Sequence, residues 1–229
     1  MNSSFNINYQ NVFVNPVTSF NRVPIRPVVP PDSTIHPRAT VIGNVILGQK
    51  VFVAPGAVIR ADEGTPIYIG NNSNIQDGVV IHGLKNKPGQ PYSVAIGNNV
   101  SVGHQALIHG PAHIGDNTFI GFQAAVFNAN VGKNCVLEMG VKVTDCHIPD
   151  GRYVPVGMVV DTQEKANNLP TVNDNYQKKD FNEHVVEVNK ELAQGYGVMY
   201  TPFYPPTFQY HQMPVIQPGN IMLKFKGKQ

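Results

Sequence analysis

Charge is scarce in this chain. Asp, Glu, Lys and Arg together make up 14% of its 229 residues, and the formal net charge is only +2. So small an excess gives no hold on nucleic acid or on an anionic membrane. The one basic cluster, Lys224, Lys226 and Lys228, reads as a solvated tail. Cysteine is rarer still. Cys135 and Cys146 are too few for a disulfide framework and are expected to stay reduced. No stretch approaches the roughly 20 apolar residues that a transmembrane helix needs. The amino terminus lacks the basic-then-apolar order of a signal peptide. These absences lead us to expect a soluble cytoplasmic protein with no membrane and no nucleic-acid partner.

Glycine (21) and proline (19), by contrast, are plentiful, which suits a turn-rich β architecture rather than a helical bundle. Residues 1–34 carry Pro16, Pro24, Pro27, Pro30 and Pro31 with a few apolar anchors (Phe13, Phe20, Val28, Val29) and no period; they read as an extended surface arm. A six-residue rhythm then begins. Aliphatic residues fall at Ile35, Val41, Leu47, Val53 and Ile59, then at Ile69, Ile75 and Ile81. After a longer gap containing Lys85, Asn86, Lys87, Pro88 and Gly89 they resume at Ile96, Val102, Ile108, Ile114, Ile120 and Val126. One residue is dropped before Val131, Leu137 and Val143. Six fits neither the helical period nor simple strand alternation. It fits hexapeptide repeats, three of which make one triangular coil of a parallel β-helix over 35–160. The period does not give the handedness.

Over 161–199 the pattern becomes helical. Asp161 with Glu164 predicts a capping box opening a short helix that ends before Pro170. A longer helix is predicted from about Lys178 to Gln194. Its apolar face is Phe181, Val185, Val188 and Leu192, and Gly195 is its carboxy-terminal cap. Residues 200–229, with Phe203, Tyr204, Phe208 and Tyr210, have no period and read as an arm open to a protein partner.

The chemistry centres on Val100 to Pro111, VSVGHQALIHGP. His82 follows Ile81 and His109 follows Ile108, so both fill the same hexapeptide slot. With the long gap counted as one repeat plus an insertion, they stack one coil apart, about 4.8 Å. Two such imidazoles can share a metal at about 2.1 Å. His104 lies in the repeat between, near another corner, with packed interior in the way. If all three are ligands, a neighbouring copy must supply it, which makes the protein a homotrimer with metal at each interface. Zn²⁺ is the plain choice, and imidazole also suits Fe²⁺ or Co²⁺. Arg60, Asp62 and Glu63 occupy the corner after Ile59, with Arg60 and Asp62 read as an ion pair between subunits. Asn74, Gln76 and Asp77 flank Ile75. Gln76 is the best placed to touch a metal-held water, while Asn74 reads as a left-handed corner residue. His36, His113, His147, His184 and His211 show no comparable arrangement.

The motifs RADEGTP (60–66), SNIQDGVVIHGL (73–84), GHQALIHGP (103–111) and IPDGRYVPVGMVV (148–160) resemble those of the gamma-class carbonic anhydrases. That family includes the related amino-terminal domain of the carboxysome scaffold protein. The likeness runs from about Ile35 to Gly195, about 70% of the chain. It implies a left-handed β-helix that trimerises, followed by a helix packed antiparallel to it. It implies His82, His104 and His109 as ligands, with His104 from the neighbouring subunit. It also implies an interface ion pair at Arg60 and Asp62, a water-contacting Gln76, an essential acid at Glu63, and site asparagines at Asn74 and Asn189. The implied reaction is reversible hydration of CO₂ to bicarbonate by a hydroxide formed on the metal. Carbonic anhydrase is itself the standard example of that chemistry.

Two departures stand out. Lys85 occupies the position where some members carry a proton-shuttling glutamate, and Glu187 replaces a tyrosine two residues before Asn189. Two rival readings follow. One is a non-catalytic trimeric scaffold that keeps the fold and binds partners through its arms. The other is a hexapeptide acyltransferase, against which three clustered histidines argue, since those enzymes use one histidine and a coenzyme A groove.

Overall fold

The computed structural model describes residues 11–84, 91–174 and 180–199. The six-residue spacing becomes three flat faces of short parallel strands. One face stacks Thr34–Ile35, Phe52–Val53, Asn74–Ile75, Ser101–Val102, Phe119–Ile120, Val136–Leu137 and Tyr153–Val154, seven strands and so about seven coils. A second, which carries His82 and His109, includes Thr40–Gly43, Val58–Ala61, Val80–His82, Lys142–Thr144 and Val159–Val160. The third includes Val45–Leu47, Ile67–Ile69, Val94–Ile96 and His147–Ile148. Two longer strands, Leu107–Ile114 and Ala125–Val131, bend around the corner between the second and third faces.

The rhythm works because each repeat sends one aliphatic side chain inward. Ile59, Ile81, Ile108 and Val126 pair in register one above another and have no solvent exposure. Each such burial contributes roughly 1.5–3 kcal/mol. The corner before the first face takes positive φ ahead of six of its seven strands, with Gly151 (69°) serving the last. Lys50, Asn72, Asn99, Asn117 and Asn134 supply it at 53–58°, a region that short polar side chains tolerate best among non-glycine residues. The dropped residue before Val131 has a local cause: Gly110 and Pro111 stand opposite Asn128 alone, where the register shifts.

Asn74 is no corner residue. It is a buried strand residue with its amide on Ser101 Oγ at 2.9 Å, and Asn72 takes the left-handed position instead. Part of the amino-terminal arm joins the fold, since Val12–Phe13 pairs in parallel with Thr40–Gly43.

Helix α1 spans Gln163–Asn167. Its cap is Thr162, whose side chain accepts from Lys165 N, and not the expected Asp161, which pairs with Lys165 Nζ at 2.6 Å. Helix α2 spans Phe181–Met199, so Gly195 lies inside it and does not end it. Its deeply buried line is Asn182, Val186 and Asn189. Val188 and Leu192 of the expected face are 58% and 45% exposed. The amide of Asn182 donates to Asn99 O at 2.7 Å, which lets a polar residue sit in the seam. Among the described residues no helix is long and apolar enough to cross a membrane. Lys85, Lys178, His211 and the tail 200–229 lie outside the described residues.

Candidate metal centre

Side chains alternate in and out along a strand. Because Ile81 and Ile108 point into the core, the residues after them point out. His82 and His109 are direct register partners, and Arg60 is the partner of His82 on the coil above. His82 Nδ1 and His109 Nε2 are 3.2 Å apart. His109 Nδ1–H donates to Gly110 O at 2.9 Å, which fixes the tautomer and leaves the Nε2 lone pair to face His82.

The corner after Val58–Ala61 brings carboxylates to the same place. Asp62 Oδ1 and Glu63 Oε1 each lie 3.6 Å from His82 Nε2. Arg60 Nη1 holds Asp62 Oδ2 at 2.8 Å within one protomer. The reason is simple alternation: positions 60 and 62 project on the same side of their strand end. Burial, foremost, and then the Arg60 guanidinium and His109 hold the His82 pKa below its ordinary 6.5. His82 is therefore a neutral, ligand-ready imidazole at neutral pH.

The remaining site residues gather at another corner, across the width of the histidine-bearing face. Gln76 and Asn189 line a cleft of about 350 Å³ with His104. Its other walls include Phe52, Phe122, Val188 and Leu192. Gln76 Nε2 donates to Asn74 Oδ1 at 3.0 Å, while Asn189 Nδ2 donates to Val185 O at 2.9 Å. His104 Nδ1 meets Asp77 Oδ2 at 3.1 Å, and its ring lies 4.9 Å from that of Phe122.

Within one protomer the expected site residues thus fall into two groups. Arg60, Asp62, Glu63, His82 and His109 form one; Asn74, Gln76, His104 and Asn189 form the other. Among the described residues, no group of three or more His, Cys, Asp or Glu comes together to hold a metal. Asp77 and Gly110 O orient His104 and His109; the sequence names Asp77 only as a neighbour of Ile75 and pairs neither group with its histidine. Asp77 had a legible signal: it precedes His104 by 27 residues, the same interval that separates His82 from His109.

The donor set fits a divalent cation. Two ligands at about 2.1 Å and a tetrahedral angle stand roughly 3.4 Å apart, close to the 3.2 Å between His82 Nδ1 and His109 Nε2. His82 Nε2 and Asp62 Oδ1 are buried with no hydrogen-bond partner. Such orphaned polar atoms are costly unless a charge or ligand engages the cluster.

Comparison with known proteins gives the family and the fold. Residues 111–145 match the family described as the hexapeptide repeat of succinyl-transferase. The chain is 50% identical over 202 residues to the carbonic anhydrase of Methanosarcina thermophila, covering 82% of each. It is 45% identical over 186 residues to the carboxysome assembly protein CcmM of Nostoc, covering 79% of this chain but 33% of that protein. A hexapeptide transferase family protein from Anaplasma phagocytophilum superposes with a TM-score of 0.58 at 24% identity, over 75% of this chain and 93% of the other. At that identity the likeness is one of fold.

Proposed function

The chain belongs to the gamma-class carbonic anhydrase family, and from that premise we propose that it hydrates CO₂ reversibly to bicarbonate. The site would be a divalent-metal centre shared between two copies in a homotrimer. The observation that carries this reading is the division of the site residues between two corners of one protomer. A three-fold ring sets the His82–His109 corner of one copy against the His104 corner of the next. An isolated protomer leaves both halves incomplete.

His82 and His109 of one copy and His104 of another would hold the ion, Zn²⁺ or alternatively Fe²⁺ or Co²⁺. When bound, such an ion supplies the Lewis acidity that makes water a nucleophile near neutral pH. The chain does the rest. Asn74 holds the Gln76 amide by its Nε2, and Gln76 Oε1 makes no hydrogen bond within the described residues. Gln76 is thus a fixed acceptor that orients the attacking oxygen. The apolar walls of the cleft, with Phe122 against His104, admit CO₂ and exclude bulk water. Glu63, partly exposed and 3.6 Å from His82 Nε2, takes the released proton and passes it outward. Arg60 holds the Asp62 carboxylate in place beside it at 2.8 Å.

Metal analysis, sedimentation and stopped-flow hydration on the same preparation test this. The expected result is one metal per protomer, a trimer, and a rate well above that of buffer. His104→Ala is expected to abolish metal binding and hydration together. A folded monomer that still hydrates CO₂ would overturn the shared site. A metal-loaded trimer with the buffer rate would select the assembly role instead. The likeness to a third of a carboxysome assembly protein favours that second reading.

A further inference from the structure

The amino-terminal arm reaches the acidic corner of the site. Asn11 anchors it with bonds from its amide to His36 O at 2.9 Å and Ala39 O at 2.8 Å. Asn15, itself buried, then closes a loop: its Oδ1 accepts from Ile25 N at 2.8 Å and its Nδ2 donates to Val23 O at 3.2 Å. Within the loop, Thr18 Oγ1 accepts from Asn21 N at 3.0 Å and Thr18 N donates to Asn21 O at 2.9 Å. This turn presents the Asn21 side chain. Of residues 16–26, all of them described, Asn21 alone is buried, while Val17, Phe20 and Val23 are exposed. Its Nδ2 donates to Asp62 O at 2.8 Å.

That carbonyl belongs to the peptide joining Asp62 to Glu63. A peptide unit is planar, so fixing its oxygen fixes the directions in which both residues leave it. Next to it, Gly64 has φ +111° and its carbonyl accepts from Asn44 Nδ2 at 3.3 Å. Two asparagine amides therefore hold the Asp62–Glu63–Gly64 turn from outside, and one of them comes from a loop that buries little apolar surface. A loop anchored for packing would insert an aliphatic side chain. This one inserts an amide, aimed at the backbone of the proton-accepting corner.

We propose that Asn21 is a positioning residue for the reaction: it fixes the Asp62–Glu63 peptide and so holds the Glu63 carboxylate beside His82. The proposal rests on the reading of Glu63 as proton acceptor. Proton export follows bicarbonate formation, so a fault there lowers kcat and spares kcat/KM.

The test uses the metal-loaded full-length chain with Asn21→Asp and Asn21→Ala. The aspartate variant keeps the shape but, ionised, has no proton to donate. The expected result in low buffer is a kcat lower by about tenfold, with kcat/KM within twofold of wild type and recovery in concentrated imidazole buffer. Metal content and trimer size should be unchanged. An unchanged kcat overturns the proposal. So does a joint fall of kcat, kcat/KM and metal content, which marks a merely structural role. Crystal structures of wild type and Asn21→Asp give a readout independent of activity. Glu63 should leave His82 in the variant, and an undisturbed corner overturns the proposal even if the wild type proves inactive. Inactive, metal-loaded wild type with a displaced Glu63 in the variant would sink the hydration reading while leaving the positioning role intact.

Discussion

Cys135 has no solvent exposure, and burial pushes its thiol from 9.0 up to about 11. Two pH units cut the reactive thiolate about 100-fold. A disulfide reagent at pH 8 should therefore leave Cys135 untouched in the folded protein and modify it promptly in guanidinium; rapid modification of the folded chain would show the core to be open there. His36 is a second residue defined by its burial. Its Nδ1 accepts from Arg38 N at 3.1 Å, and its ring meets Tyr196 of α2 edge-on at 5.1 Å. Burial, then Arg38, lower its pKa below 6.5, with Asp77 opposing. The unfolded chain binds this proton more readily, so stability is complete above about 6.5 and declines as pH falls through the folded value. Urea midpoints at pH 7.5 and 5.5 should differ more for wild type than for His36→Gln. An equal pH response in both would remove the assignment.

At the scale of elements, the corners set the conditions for coiling. Gly43 has φ +80°, and a Cβ there would stand 2.4 Å from Ala61 O on the next coil. Gly43→Ala should cost at least about 2 kcal/mol, seen as a lower denaturation midpoint; an unchanged midpoint would mean that the corner can relax. Helix α2 shows how a correct pattern can be misassigned. The spacing of Phe181, Val185, Val188 and Leu192 does mark one apolar stripe, but that stripe borders the cleft of His104, and the buried seam runs through Asn182, Val186 and Asn189. Hydrophobicity alone cannot place an asparagine whose Nδ2 donates to a carbonyl at a corner of the coil.

For the whole molecule, the decisive experiment is complementation. His82→Ala destroys one corner and His104→Ala the other, so either trimer alone should be inactive. Mixed in equal amounts, unfolded and refolded together, they should recover roughly a quarter of wild-type activity, because one neighbour pair in four joins two intact halves. No recovery, with mixed trimers demonstrated, would place all three ligands within one protomer. The same geometry explains why one protomer brings only His82 and His109 together: they occupy the same slot of successive coils, whereas His104 lies at the other corner of that face.

The sequence by itself determined the coil. A period of six fits neither a helix nor an alternating strand but a hexapeptide coil, and the equal slots of His82 and His109 put those rings in register. It also determined the family, through motifs that run along the β-helix. Only the tertiary structure decided what lies beside those motifs without being spaced like them. It put Asp77 on His104, closed Arg60 on Asp62 within one chain, and brought Asn21 to Asp62 O. Periodicity reports which way a side chain faces, because facing is local. It does not report which carbonyl or carboxylate it meets, because that partner comes from another coil or from an arm with no period at all.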